Sequence, residues 1–195
     1  GSHWTPMKSR MIVRSLTTAE GTLVAMDDGL LAWKPKNGRP QRIRLEAIPT
    51  VLLVVRGPMD TIDTAIIGNA RGEVLVFTLP RLEMISKYEL KGGCIRALSL
   101  IDQGSLNLLA GTQNGSVWSL DDRKSERQEV LFTISGPVSS LHLEHGMVHV
   151  RSGWIHHMHA WDGSRISEDD TAKDYSRGGH KRLDRSYALG SVQLA

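Results

Sequence analysis

The chain has 195 residues, and its 24 Lys and Arg residues exceed its 21 Asp and Glu residues to give a net charge of +3. With 40% hydrophobic and 23% charged residues, the composition excludes a wholly disordered chain. The single cysteine, Cys94, excludes an intramolecular disulfide and a multi-cysteine zinc site. So small an excess of positive charge gives no reason to expect a nucleic-acid partner.

The first ten residues, 1–10, are set apart as an N-terminal lead that begins with Gly1-Ser2-His3, which resembles the remnant of a cleaved tag. The apolar run Met11-Ile12-Val13 is shorter than the roughly 7–15 residues that a signal peptide needs. No segment approaches the ~18 apolar residues of a membrane helix. Together with the single cysteine, these features predict a cytoplasmic protein without a membrane partner.

A repeated pattern occupies residues 11–167. Four apolar runs each reach a turn that contains glycine and then resume with β-forming residues. The turn glycines Gly29, Gly72, Gly115 and Gly153 follow one another at intervals of 43, 43 and 38 residues. Glycine suits such hairpin turns because it adopts positive φ without steric cost. The repeat therefore predicts an all-β fold of four units, each with four short antiparallel strands.

Two segments carry a family resemblance. In Leu109–Leu120 an Asn-Gly turn precedes Ser-Val-Trp-Ser-Leu, which resembles the third-strand signature of WD repeats. Leu23–Arg39 resembles a blade of quinoproteins as closely as a blade of WD repeats. The first three units lack the Gly-His opening and the terminal Trp-Asp of WD repeats, and Trp161-Asp162 occurs once in the fourth. The resemblance implies a β-propeller with four blades and leaves the subfamily open.

Four blades are few for a ring of this kind. A propeller closes when its last blade packs on its first, and WD-like rings usually hold seven or eight blades. We expect a half-ring that a second copy of the chain completes to an eight-bladed dimer. A partner chain that supplies the missing blades and a small four-bladed ring are the alternatives. The polar tail, 168–195, is either disordered or a clasp that adds a strand to a blade.

The resemblance to WD-repeat proteins implies a recognition face at the end of the ring that carries the turns. The chain lacks the sequence motifs of nucleotide binding and nucleophilic catalysis. We therefore expect a non-catalytic protein-interaction scaffold that needs no cofactor. The turn residues predicted to form its binding face are Asp27, Asp28, Arg71, Gln113, Asn114 and Arg151.

Six of the eight histidines lie in residues 142–159. His157 and His159 share one face of an extended strand, and His149 lies on the preceding strand of the same predicted hairpin. These three form a candidate site for zinc or copper, while a structural or solvent-facing role for the histidines stays open. A metal-dependent hydrolase or lyase with a histidine-containing site in the ring channel is the alternative function.

Overall fold

The computed structural model describes residues 11–102, 106–121 and 127–161 of the chain. In this part the chain forms fifteen β-strands in four antiparallel sheets, which we call blades one to four. The lead 1–10, the tail 168–195 and the fourth strand predicted for the last unit, which would follow residue 161, lie outside the described residues. The described residues contain no helix that is long and apolar enough to span a membrane.

Each blade is a meander in which consecutive strands pair. Blade one contains β1 (Ile12–Thr17), β2 (Gly21–Met26), β3 (Leu30–Pro35) and β4 (Gln41–Arg44). Blade two contains β5 (Pro49–Arg56), β6 (Ile62–Asn69), β7 (Glu73–Thr78) and β8 (Glu83–Glu89). Blade three contains β9 (Ile95–Asp102), β10 (Asn107–Thr112), β11 (Ser116–Asp121) and β12 (Arg127–Thr133). Blade four contains β13 (Ser140–Glu144), β14 (Met147–Ser152) and β15 (Ile155–Ala160).

The turn between the second and third strand of each blade contains the predicted glycine. Gly29, Gly72 and Gly115 have φ values of 89°, 91° and 95° and end three-residue turns. In blade four the turn has only two residues, Gly153-Trp154, and Gly153 has a φ of 59°. The predicted all-β repeat is thus confirmed, with a shorter hairpin turn in blade four.

Three apolar cores join the four blades in chain order. The first core packs Leu23, Leu31 and Trp33 of blade one on Ile67 and Phe77 of blade two. The second packs Ile66, Val74 and Tyr88 of blade two on Ile95 and Leu108 of blade three. The third packs Leu109 and Val117 of blade three on Val138, Val148 and Val150 of blade four. Among the described residues, no fourth core joins blade four to blade one.

Internal blades are buried on both faces, and their middle strands therefore read as continuous apolar runs. All six residues of β10 are buried, and five consecutive residues of β6 are buried as well. In β14 of blade four, by contrast, buried residues alternate with half-buried ones, as expected for a strand with one packed face.

Glycine also allows the blades to approach one another closely. A Cβ atom on Gly68 of β6 would lie 2.5 Å from Cγ2 of Ile95, which begins the first strand of the next blade. A Cβ atom on Gly111 of β10 would overlap Val138 at the corresponding place in blade four. Residues with side chains at these two positions would force adjacent blades apart.

Truncation of Ile66, which is fully buried in the second core, tests the contribution of the contact between blades. We expect Ile66→Ala to lower the free energy of unfolding by about 2–5 kcal/mol, because the change removes apolar contact and leaves a cavity. Ile85 on β8 is 49% exposed, and Ile85→Ala should therefore change the stability by less than about 0.5 kcal/mol. Urea denaturation followed by circular dichroism measures both values, and equal losses would contradict this account of the core.

Candidate functional site

The turns between second and third strands bring the predicted binding residues to one end of the blades. Asp27 and Asp28 lie in the turn of blade one, Arg71 in that of blade two, and Gln113 and Asn114 in that of blade three. The sixth, Arg151, belongs to strand β14 just before the turn of blade four.

The connections between blades lie beside these turns. The backbone amide of Asn114 donates to the carbonyl of Gly92 (2.9 Å), and that of Gln113 donates to the carbonyl of Cys94 (2.9 Å). In blade two the amide of Ala70 donates in the same way to a carbonyl of the preceding connection. We call this surface of turns and connections the hairpin end.

Some of the predicted side chains shape the turns themselves. The Asn114 Oδ1 atom accepts hydrogen bonds from the Ser116 amide (3.0 Å) and from the Thr112 hydroxyl (2.7 Å). The Asp28 Oδ1 atom accepts one from the Leu30 amide (3.1 Å). Asp and Asn side chains often stabilise turns in this way. These two residues therefore have a structural function in the hairpins.

Two other predicted residues make exposed contacts with neighbouring side chains. Arg71 forms an ion pair with Glu46 (3.1 Å), and the carbonyl oxygen of the Gln113 side chain accepts a hydrogen bond from Arg96 (3.0 Å). Exposed pairs of this kind contribute about 1 kcal/mol or less to stability and exchange their partners easily. They are accessible to a binding partner.

The most exposed apolar group of the hairpin end was not predicted from the sequence. Trp154, in the turn of blade four, is 100% exposed, and the next residue, Ile155, is half exposed. The turns of the other blades carry polar residues at the tip. A tryptophan in a two-residue hairpin turn projects away from the sheet, and its place beside Gly153 is the signal that could have identified it.

The structure does not bring the three predicted metal ligands together. His157 and His159 share a face as predicted, and the His159 ring stacks on Phe132 of blade three with a centroid distance of 3.7 Å. His149 pairs with Met158, which lies between them, and therefore points to the opposite face. The sequence alone does not give the register in which β14 and β15 pair. A shift of this register by one residue moves a side chain to the other face of the sheet.

A different group of side chains surrounds His149 on the outer face of blade four. We call His142, Glu144, His149 and His156 the outer histidine cluster. The His142 and His149 rings stack almost in parallel, with centroids 4.6 Å apart and planes at 4°. The Nδ1 atom of His149 lies 3.1 Å from Nε2 of His156. Ligand atoms of His142, Glu144 and His149 all lie within 4.8 Å of one another.

The environment of this cluster favours neutral imidazoles. Burial lowers the pKa of His149, and the positive charge of a protonated His142 would lower it further. Burial also lowers the pKa of His156 to about 3, with added effects of His149 and Arg151. Both rings are therefore uncharged at neutral pH and keep a nitrogen lone pair.

The outer histidine cluster occupies positions that form apolar cores in the other blades. Equivalent positions in the four blades are found by counting the paired residues of the second and third strands outward from the hairpin turn. By this count, His156 is equivalent to Leu31, Val74 and Val117. His149 is equivalent to Leu23, Ile66 and Leu109. All six of these equivalents are completely buried. Blade four thus presents a polar face where blades one to three present an apolar one, as terminal repeats of repeat proteins do.

Comparison with known proteins bears on the fold. No protein-family model matches this chain, and no curated protein matches it. Among solved structures, the computationally designed protein Ika8 is similar with a TM-score of 0.61 and 13% identity over 80% of this chain and 48% of that one. Sqt1 of Saccharomyces cerevisiae has a TM-score of 0.62 and 12% identity over 75% of this chain and 43% of that one. The designed protein Ika4 has a TM-score of 0.60 and 14% identity over 79% of this chain and 93% of that one.

The chain spans about half the length of Ika8 and of Sqt1, and nearly the whole of Ika4. At identities of 12–14% these similarities concern the fold alone. They support a β-propeller-like arrangement of blades, and the four antiparallel sheets of the described residues are consistent with a partial β-propeller.

The lowered pKa values of His149 and His156 predict how stability depends on pH. An unfolded histidine has a pKa near 6.5, so that below this pH the unfolded chain binds protons that the folded chain does not. We expect the melting temperature to fall as the pH is lowered from 7.5 to 5.0. This range lies above the pKa of carboxyl groups such as Glu20 and Glu73, which are lowered from 4.5.

Thermal unfolding followed by circular dichroism measures this dependence. The groups whose charges affect the two rings include His142, Glu144, His145 and Arg151 on their own side of the sheet or at its edge, and His157 on the opposite face. The variant His156→Gln removes one of the two titrating rings and should show a shallower decline than the wild type. A melting temperature that is constant over this range, or an equal decline in the variant, would contradict the prediction.

Proposed function

We propose that this protein is a non-catalytic protein-interaction scaffold that binds its partner through the hairpin end. The observation that carries the proposal is the complete exposure of Trp154 on a structured hairpin turn, beside the half-exposed Ile155. Tryptophan is enriched among the residues that dominate binding energy at protein interfaces. An exposed tryptophan in such a place is expected to insert into a pocket of another protein.

The hairpin end as a whole fits recognition better than catalysis. Its turns are held in shape by their own side chains: in blade two, for example, the Asn69 Oδ1 atom accepts hydrogen bonds from the amides of Arg71 and Glu73, both at 3.0 Å. Binding to such preorganised turns costs little conformational entropy. The exposed Arg71–Glu46 ion pair adds charged groups that can exchange partners at the rim of an interface.

We propose further that a second copy of the chain completes the ring. Three cores join four blades, and the outward faces of blades one and four each lack a neighbouring blade within the described residues. The match to this chain also covers only about half of the similar proteins Ika8 and Sqt1. Two copies would supply eight blades, in line with the size expected for this kind of ring.

The contact between copies would be more polar than the cores inside one chain. The outward face of blade one carries Lys34 at the position where blade two has Phe77, and Ala32 at the position where blade two has Leu75. The outward face of blade four carries the outer histidine cluster with Glu144. Hydrogen bonds and ion pairs would therefore contribute more to the contact between copies than to the cores inside one chain. The affinity of the copies for each other should then fall as the salt concentration rises.

Replacement of Trp154 tests the proposed interaction surface. Proteins of a cell extract that cross-link to the purified protein are the candidate partners. The binding of each purified candidate is then measured by calorimetry. We expect Trp154→Ala to weaken the binding about 30-fold, which corresponds to the loss of about 2 kcal/mol at an interface hot spot. Met59, 83% exposed in the turn between β5 and β6 at the opposite end of its blade, provides the control Met59→Ala. Equal affinities of both variants for every partner would refute the role of the hairpin end.

Solution mass tests the completion of the ring. The chain has a mass of 21.6 kDa, and light scattering coupled to size exclusion should show a species of about twice this value. Ile12 is 59% exposed on the outward face of blade one, and Ile12→Glu should produce a monomer by placing a charge in the contact. Ile85→Glu, on the outer strand of blade two, should remain a dimer. A wild-type monomer would overturn the pairing of copies and leave the hairpin-end proposal in place.

A further inference from the structure

We propose that the outer histidine cluster is a binding site for one divalent transition-metal ion, with His142, Glu144 and His149 as ligands. The three side chains come from β13 and β14, and their ligand atoms all lie within 4.8 Å of one another. The site uses none of the residues of the hairpin end and lies on the outward face of blade four, which is the face that would contact the second copy in the proposed ring. It therefore goes beyond the proposed scaffold function.

Strand pairing delivers these ligands to one place. His142 pairs directly with His149 across β13 and β14, and adjacent paired residues point to the same face of a sheet. Glu144 follows His142 by two residues and so shares this face as well. The backbone positions of all three ligands are thus fixed by two hydrogen-bonded strands, which leaves only the side-chain rotamers to adjust.

The distances fit a site that closes on its ion. Zinc bonds to imidazole nitrogen and carboxylate oxygen are about 2.0–2.2 Å long, so that ligand atoms around a tetrahedral ion lie roughly 3.4 Å apart. Ligand atoms within 4.8 Å need to move by about 1 Å to reach this separation, and the His142 ring, which stacks on that of His149, must also rotate so that both lone pairs point at the ion. His142 and Glu144 are exposed, and their side chains can make this movement without disturbing the third core.

His156 is placed to orient the central ligand. Metal-binding histidines usually donate their second ring N–H to an acceptor, which fixes the tautomer of the ring. The Nε2 atom of His156 lies 3.1 Å from Nδ1 of His149 and can accept this hydrogen bond. In that tautomer the lone pair that would bind the metal is on the Nε2 atom of His149. His156 is therefore a positioning residue in the proposed site.

The donor set selects the class of metal. Two imidazole nitrogens and one carboxylate oxygen suit zinc or copper, whereas magnesium and calcium prefer ligand sets made of oxygen atoms. A polar outward face alone would need no imidazoles, since Ser, Thr or Lys would serve equally well. Blade four instead has histidines at positions where the other blades have Leu, Ile and Val, together with a carboxylate within ligand distance.

Zinc binding to the full chain, first freed of metal with a chelator, tests the proposal. Isothermal titration with Zn²⁺ at pH 7.5 is expected to show binding of one ion per chain by the cluster. His142→Gln and His149→Gln should each weaken this binding at least tenfold, because each removes one of three ligands. The matched control is His157→Gln, on the neighbouring strand but on the opposite face, which should bind zinc as the wild type does.

Two further measurements separate loss of a ligand from loss of the fold. Far-UV circular dichroism verifies that each variant keeps its β-structure. Electron paramagnetic resonance with Cu²⁺ is done on chains that carry His3→Gln, because the amino-terminal Gly1-Ser2-His3 would itself bind copper. It should show hyperfine coupling to two imidazole nitrogens when the cluster is intact and to one when His142→Gln is added. Zinc affinity that is unchanged in folded His142→Gln and His149→Gln, or affected equally by His157→Gln, would overturn the proposal.

Discussion

The structure depends on the close apolar contact between adjacent blades. A sheet of four short strands has two faces, and neither can be buried without a neighbour. Gly68 and Gly111 allow the next blade to approach so closely that Ile95 and Val138 fill the space where a Cβ atom would stand. This contact explains why the middle strands of internal blades are apolar on both faces. The stability of a blade therefore depends mainly on how many adjacent blades it contacts.

The terminal blades show how a sequence departs from the repeat where a neighbour is missing. In blade four the equivalents of Leu109 and Val117 are His149 and His156, so that the outward face exchanges an apolar core for imidazoles. These rings are partly buried and remain neutral, because their surroundings lower their pKa values. A face of this kind tolerates water better than an apolar one, and the same property makes it suitable for coordinating a metal ion.

Much of the fold could be predicted from the sequence, because turn glycines and β-forming runs act locally. The intervals between Gly29, Gly72 and Gly115 were sufficient to define the first three blades. The grouping of the histidines could not be predicted, since it depends on the register of β14 and β15. The turn of blade four is one residue shorter than the others, and this places His149 opposite Met158. The alternation of residues in β14, however, did contain the information that this strand is packed on one face only.

Because the three cores join the blades in chain order, the blades differ in how easily they unfold locally. When each unit contacts only its nearest neighbours, stability resembles that of a one-dimensional array, in which each interface contributes separately. Blades two and three lie between two interfaces, whereas blade four is held within the described residues by the third core alone. In a single chain the terminal blades should therefore open before the internal ones, and the contact with a second copy in the proposed ring would remove this difference. A ligand that binds residues of both β13 and β14 would therefore stabilise one of the blades that open first in a single chain.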